Sequence, residues 1–147
     1  MSEEAQTLDY NNARFKVKLY NFEMFVGPAA GEVAPDFTVT DLATGNDVKL
    51  SDFKGKWTVI ETGSSTCSMY TKNIARMKEV VDQFTDVEFL LVYVREAHPG
   101  ERLHQHKSIE EKKKAAALVA PRYGEHRRVL VDSFEGDFHR AYGAMPN

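Results

Sequence analysis

The stretch from Trp57 to Val94 constrains the fold of this chain more than any other. Trp57-Thr58-Val59-Ile60-Glu61 reads as a strand, and Gly63-Ser64-Ser65-Thr66 breaks it. Tyr70, Asn73-Ile74, Met77, Val80-Val81 and Phe84 then recur at three- and four-residue spacing, the period of an amphipathic helix. Thr85-Asp86 ends the helix, and only Glu88 interrupts the apolar character of Val87–Val94. Near-continuous apolar strands suit a parallel sheet covered on both faces. Strand, helix and strand in about 37 residues make a βαβ unit with a right-handed crossover. The expected class is therefore α/β, a mostly parallel central sheet with flanking helices, in which Trp57–Glu61 is a central strand.

The flanking segments fit this frame. Phe37–Thr40, a turn at Thr44-Gly45-Asn46-Asp47 and Val48–Leu50 read as a hairpin. Ser108–Ala120 is a helix in which Ser108 and Glu111 form a capping-box pattern and Pro121 is the stop. Arg128–Asp132 is a short strand and Glu135–Tyr142 a short helix. Phe15, Leu19, Phe22 and Val26 suit a short amphipathic helix, so residues 1–30 read as an N-terminal helical extension and 31–147 as the main domain. The run Lys112-Lys113-Lys114 reads as a solvated helix face paired with Glu110 and Glu111.

Composition narrows the function. A net charge of −3 on 147 residues gives no strong basic field, which argues against nucleic acid as the main partner. No apolar run reaches the roughly 20 residues of a membrane span, and no secretory signal is visible, so the expected compartment is cytoplasmic. The single cysteine, Cys67, excludes an internal disulfide, a Cys-x-x-Cys redox pair and a multi-cysteine zinc site.

Cys67 follows a strand and a Gly-containing polar turn and opens a helix, where free N–H groups and the macrodipole favour a thiolate. Ser64 and Thr66 stand close enough in sequence to offer it hydroxyl donors. The competing reading is a small buried hydrophobe, the usual fate of a lone cysteine. Glu96 and His98 leave the end of the Val87–Val94 strand on the same sheet edge. A carboxylate beside an imidazole orients the ring, and the ring lowers a thiol's pKa or protonates a leaving group. His98, His104, His106 and Glu96 also fall close enough to suggest a metal site, yet no helical His pair or zinc motif is present, and the expectation is no metal.

Gly63-Ser64-x-Thr66-Cys67-x-x-Tyr70 resembles the active-site turn of the iodothyronine deiodinases, in which selenocysteine, or cysteine in bacterial relatives, holds the place of Cys67. The resemblance continues through Tyr93-Val94-Arg95-Glu96-Ala97-His98, Gln105-His106-Lys107-Ser108, Val131-Asp132-Ser133 and Ala141-Tyr142-Gly143-Ala144-Met145-Pro146. It implies a thioredoxin-like fold related to peroxiredoxins and glutathione peroxidases. Pro146 would be its cis-proline facing the active-site helix, with two further strands and a helix beyond. It implies catalytic roles for Cys67, Glu96 and His98, supporting roles for Ser64, Thr66 and His106, and a substrate pocket bordered by Tyr93, Tyr142 and Pro146. Ser64 also meets the hydroxyl position of the peroxiredoxin pattern Pro-x-x-x-Thr/Ser-x-x-Cys, while Ile60 stands where its proline would be.

The function implied is a thiol-dependent oxidoreductase acting on a halogenated or peroxide small molecule. It would need no metal or organic cofactor and would be regenerated by an external thiol such as thioredoxin or glutathione, since the chain has no resolving cysteine. A one-cysteine peroxidase and a non-catalytic scaffold with an inert Cys67 are the alternatives. A sheet edge left open next to Pro146 would favour a homodimer.

Overall fold

The computed structural model describes residues 10–15, 26–100 and 102–143. All but the ends of the helix expected over Phe15–Val26 lies outside these residues, as does Pro146. Five strands form one sheet in the order β2-β1-β5-β4-β3. The strands are β1 (Thr38–Asp41), β2 (Asp47–Lys49), β3 (Thr58–Gly63), β4 (Glu88–Tyr93) and β5 (Arg128–Val131). Strands β3, β4 and β5 are parallel, and β1 joins them antiparallel to both β2 and β5, so the sheet is mixed. Among the described residues β3 is an edge strand rather than a central one, and Trp57, which leads into it, is 82% exposed.

Alternation along β4 divides the core in two. Leu90 and Val92 face a layer of Phe37, Val48, Phe53 and Phe138, with Tyr142 packed against it. Leu91 and Tyr93 face α1 (Ser68–Gln83), α2 (Ile109–Ala116) and α3 (Val119–Tyr123) through Tyr70, Ile74, Ala115, Ala116 and Val119. A short helix α4 (Asp137–Ala141) carries Phe138 into the first layer. A strand this apolar on both sides needs a cover on each, and it has one.

Two helix details differ from the sequence reading. Ser108 caps α2 by accepting the Glu111 N–H at 3.2 Å, but the helix breaks at Ala117. That is four residues before Pro121, whose ring clashes with the carbonyl there and whose nitrogen has no hydrogen to donate. Pro121 itself sits in α3, where a missing early N–H costs nothing. Lys112 is fully buried rather than solvated, and its Nζ donates to the Ser133 carbonyl at 2.7 Å. Burial pushes its ammonium down to about 8.

Candidate active site

The register of the parallel strands assembles the site. Gly63 at the end of β3 lies beside Tyr93 at the end of β4, and the Val94 N–H donates to the Gly63 carbonyl at 3.1 Å. The turn Ser64–Thr66 therefore leaves the sheet next to Arg95–His98. Gly63 is required by contact: a Cβ there would lie 2.6 Å from the Tyr70 ring, which packs against its backbone.

Cys67 is the N-cap residue of α1, half-buried and packed against the Tyr70 layer. No acidic side chain occupies the first turn of α1 to compete for its free N–H groups. The neighbouring polar side chains converge on Glu96 instead of on the sulfur. Glu96 Oε2 accepts the Thr66 N–H at 3.0 Å and is 2.6 Å from the Thr66 hydroxyl, while Oε1 accepts the Tyr93 hydroxyl. Ser64, fully buried, also bonds Glu96 and accepts the Ala97 N–H at 3.2 Å. Thr66 and Ser64 are thus hydrogen-bonded to the carboxylate, correcting the expectation that they are aimed at the thiol.

The carboxylate is 1% exposed. Burial raises its pKa above the ordinary value, and the hydrogen bonds from Thr66, Tyr93 and Ser64 offset only part of that rise. The imidazole beside it is His106, whose Nε2 lies 3.4 Å from Oε1 and makes no hydrogen bond at that distance. Burial, reinforced by the positive charge of Lys112, pushes the His106 pKa down to about 4, and a bond to the Val94 backbone only partly opposes this.

His98 does not pair with Glu96. Its N–H donates to the Thr66 hydroxyl oxygen at 3.0 Å, and its exposed ring lies 4.4 Å from that of Phe15. Tyr93 is fully buried and bridges Glu96 to the Ser65 N–H at 3.0 Å, so it supports the site from beneath rather than walling a pocket. Tyr142 packs on Phe37 and Phe138 in the layer on the other face of the sheet, donates to the Pro35 carbonyl at 2.6 Å, and is not brought to Cys67. His104 is exposed, and among the described residues no group of three or more His, Cys, Asp or Glu side chains could hold a metal ion.

Two contributors escaped the sequence reading. Ser65 donates its N–H to Tyr93, and Gln105 brackets the backbone of Glu96. A recess of about 400 Å³, lined by Asp47, Asp52, Lys56, Glu88 and Arg128 among others, lies at the opposite ends of the parallel strands and takes no part in the site.

The iodothyronine deiodinase family model matches residues 1–147. The chain belongs to that family. A thyroxine 5-deiodinase of Sparus aurata is 29% identical over 126 residues, covering 78% of this chain and 47% of its own length. A chloroplast protein of Arabidopsis thaliana whose name assigns it to the glutathione peroxidases is 35% identical over 79 residues, 54% of this chain and 34% of its own. The chain thus spans at most about half the length of these relatives. The thioredoxin domain of a thiol-disulfide oxidoreductase from Bacteroides vulgatus superposes with a TM-score of 0.57 at 23% identity, covering 78% of this chain and 71% of that one. The fold is thioredoxin-like, as the sequence reading expects. No helix among the described residues is long and apolar enough to cross a membrane.

Proposed function

We propose that this chain is a thiol-dependent oxidoreductase in which Cys67 accepts an electrophilic atom from a small substrate. The observation that carries this reading is the buried Glu96 carboxyl, bonded to Ser64 and Thr66 in the turn that delivers Cys67. With iodoarenes, the thiolate attacks iodine: the S–I bond forms, the C–I bond breaks, and the carbon takes a proton. With a hydroperoxide, the S–O bond forms, the O–O bond breaks, and the leaving alkoxide takes the proton. In both cases sulfur is oxidised by two electrons and the substrate reduced by two. Two equivalents of an external thiol, leaving as a disulfide, return Cys67 to its starting state and release the captured atom as iodide or water.

The chain's own residues supply the proton. Glu96 holds one at a higher pH than an exposed glutamate would. When that proton sits on Oε2, the carboxyl donates to Thr66, and the Thr66 hydroxyl hydrogen is released towards the mouth of the turn. Neutral His106 lies 3.4 Å behind Glu96 and, with its basicity depressed by burial, leaves the proton on the carboxyl. His98, exposed on the neighbouring strand end, offers its ring to the substrate.

Turnover of hydrogen peroxide and of iodothyronines, measured with an external thiol on wild type and Cys67→Ser, tests the reading. Reduction of at least one substrate, lost in Cys67→Ser, is expected. Failure of both substrates sinks the reading and leaves the scaffold alternative, and activity that survives Cys67→Ser sinks the role of the thiol. The match to a protein named as a glutathione peroxidase favours the second, peroxidase reading, which would be selected by turnover of peroxide alone.

A further inference from the structure

The short segment 10–15 runs alongside Arg95–His98 and makes a polar or ring contact at both ends of that stretch. Tyr10 is 4% exposed, its ring 4.7 Å from the Arg95 guanidinium, and its hydroxyl lies 3.0 Å from His139 Nδ1. The seat is shaped for it: a Cβ on Gly136 would lie 2.0 Å from the ring, so only glycine leaves room. The Tyr10 carbonyl accepts from Arg95 Nη1 at 2.9 Å, and the Phe15 ring meets His98. Between them, the Asn12 carbonyl accepts from Gln105 Nε2 at 3.0 Å.

Gln105 is buried and its amide is fully committed. The second Nε2 hydrogen goes to the Glu96 carbonyl at 3.0 Å, and Oε1 accepts the Glu96 N–H at 2.8 Å. A flipped amide would set NH₂ against N–H and oxygen against two carbonyls, so only one orientation satisfies all three partners. One side chain therefore pins the backbone of Glu96 on both sides. His106 follows Gln105 directly, so the same anchor sets the imidazole near the carboxyl.

We infer that Gln105 is a positioning residue for Glu96, and that residues 10–15 form a strap that holds Gln105 in place. This rests on the role proposed above for Glu96. A carboxyl whose backbone is released drifts from Thr66, and displacements of about 1 Å at a reacting group cost up to about a hundredfold in rate.

The test is the second-order rate of Cys67 oxidation by hydrogen peroxide, measured against pH in Gln105→Met, a near-isosteric change that removes all three bonds. The rate is expected to fall by about tenfold or more, and the limb of the profile set by Glu96 is expected to move down towards the ordinary glutamate range as the carboxyl gains access to water. In Glu96→Gln the further change Gln105→Met should then have little effect, because the two act through one group. Multiplicative losses, or an unmoved limb, would overturn the inference while leaving Glu96 its role. An unaltered rate in Glu96→Gln would overturn both. If Gln105→Met does not fold, Tyr10→Phe, which unfastens the strap from His139, is expected to show the same limb movement and the same dependence on Glu96, and its absence counts against the strap.

Discussion

At the start of α1, Tyr70 leads into one buried polar network and the Cys67 turn into another. In the first, Arg127 meets Glu125 through two bonds, Nε–Oε1 at 2.8 Å and Nη2–Oε2 at 2.9 Å, and reaches Glu61 Oε2 at 2.5 Å. Tyr70 donates to Glu125 at 2.6 Å. Burial alone would pull Arg127 down and push Glu125 up, but the bonds between them win, and each is held further in its charged form. In the second network burial wins. Glu96 is pushed up and His106 down, so both are driven towards neutrality. The first network is compensated charge and serves the fold. The second holds two groups that burial drives towards their neutral forms, which leaves the Glu96 proton available for transfer.

That contrast breaks open by substitution. Glu96→Gln should slow turnover by about 10²–10⁴-fold. Its folded-state pKa is raised, so the stability it contributes is present at low pH and lost as pH rises through that value. At neutral pH the amide should therefore melt at or above the wild-type temperature, which calorimetry checks. Arg127→Met should do the reverse, costing about 3–5 kcal/mol because the buried Glu125 carboxylate loses its partner. Folded Arg127→Met should still oxidise at Cys67 at close to the wild-type rate.

A smaller effect sharpens the electrostatic difference. His106 titrates near 4 in the fold against 6.5 in a free side chain. Stability should therefore decline as pH falls from about 6.5 to about 4, by at most about 3 kcal/mol, since the unfolded chain takes up the proton first. Denaturant titrations across this range should lose that slope in His106→Gln. The smallest effect belongs to His98→Ala, an exposed position whose loss should change stability by no more than about 0.5 kcal/mol. Its signature should be a raised KM with the unfolding temperature unmoved.

Period and turn chemistry alone determined much of this protein. The hairpin, the βαβ unit and the capped start of α2 lie where spacing puts them, because these depend on neighbours within a few residues. Cys67 at the helix start and Glu96 past the strand were legible for the same reason. Lys112 was legible by period too: it shares the face of Ala115, Ala116 and Val119, three, four and seven residues on. Residue type argued for solvent, and the Ser133 carbonyl and the Asp132 carboxylate, both brought by the end of β5, explain its burial.

Only the tertiary structure decided which imidazole faces Glu96. His98 is closer in sequence, but the chain turns outwards at Ala97 and spends the His98 N–H on Thr66. His106 returns through a loop fastened by Gln105, and its position depends on a segment more than ninety residues away in the chain. Likewise Tyr93 and Tyr142 carry the same side chain near the ends of their elements, yet one is drawn under the site and the other into the opposite layer. The side of the sheet on which a strand end delivers its side chain follows from pairing and register, which local sequence does not contain.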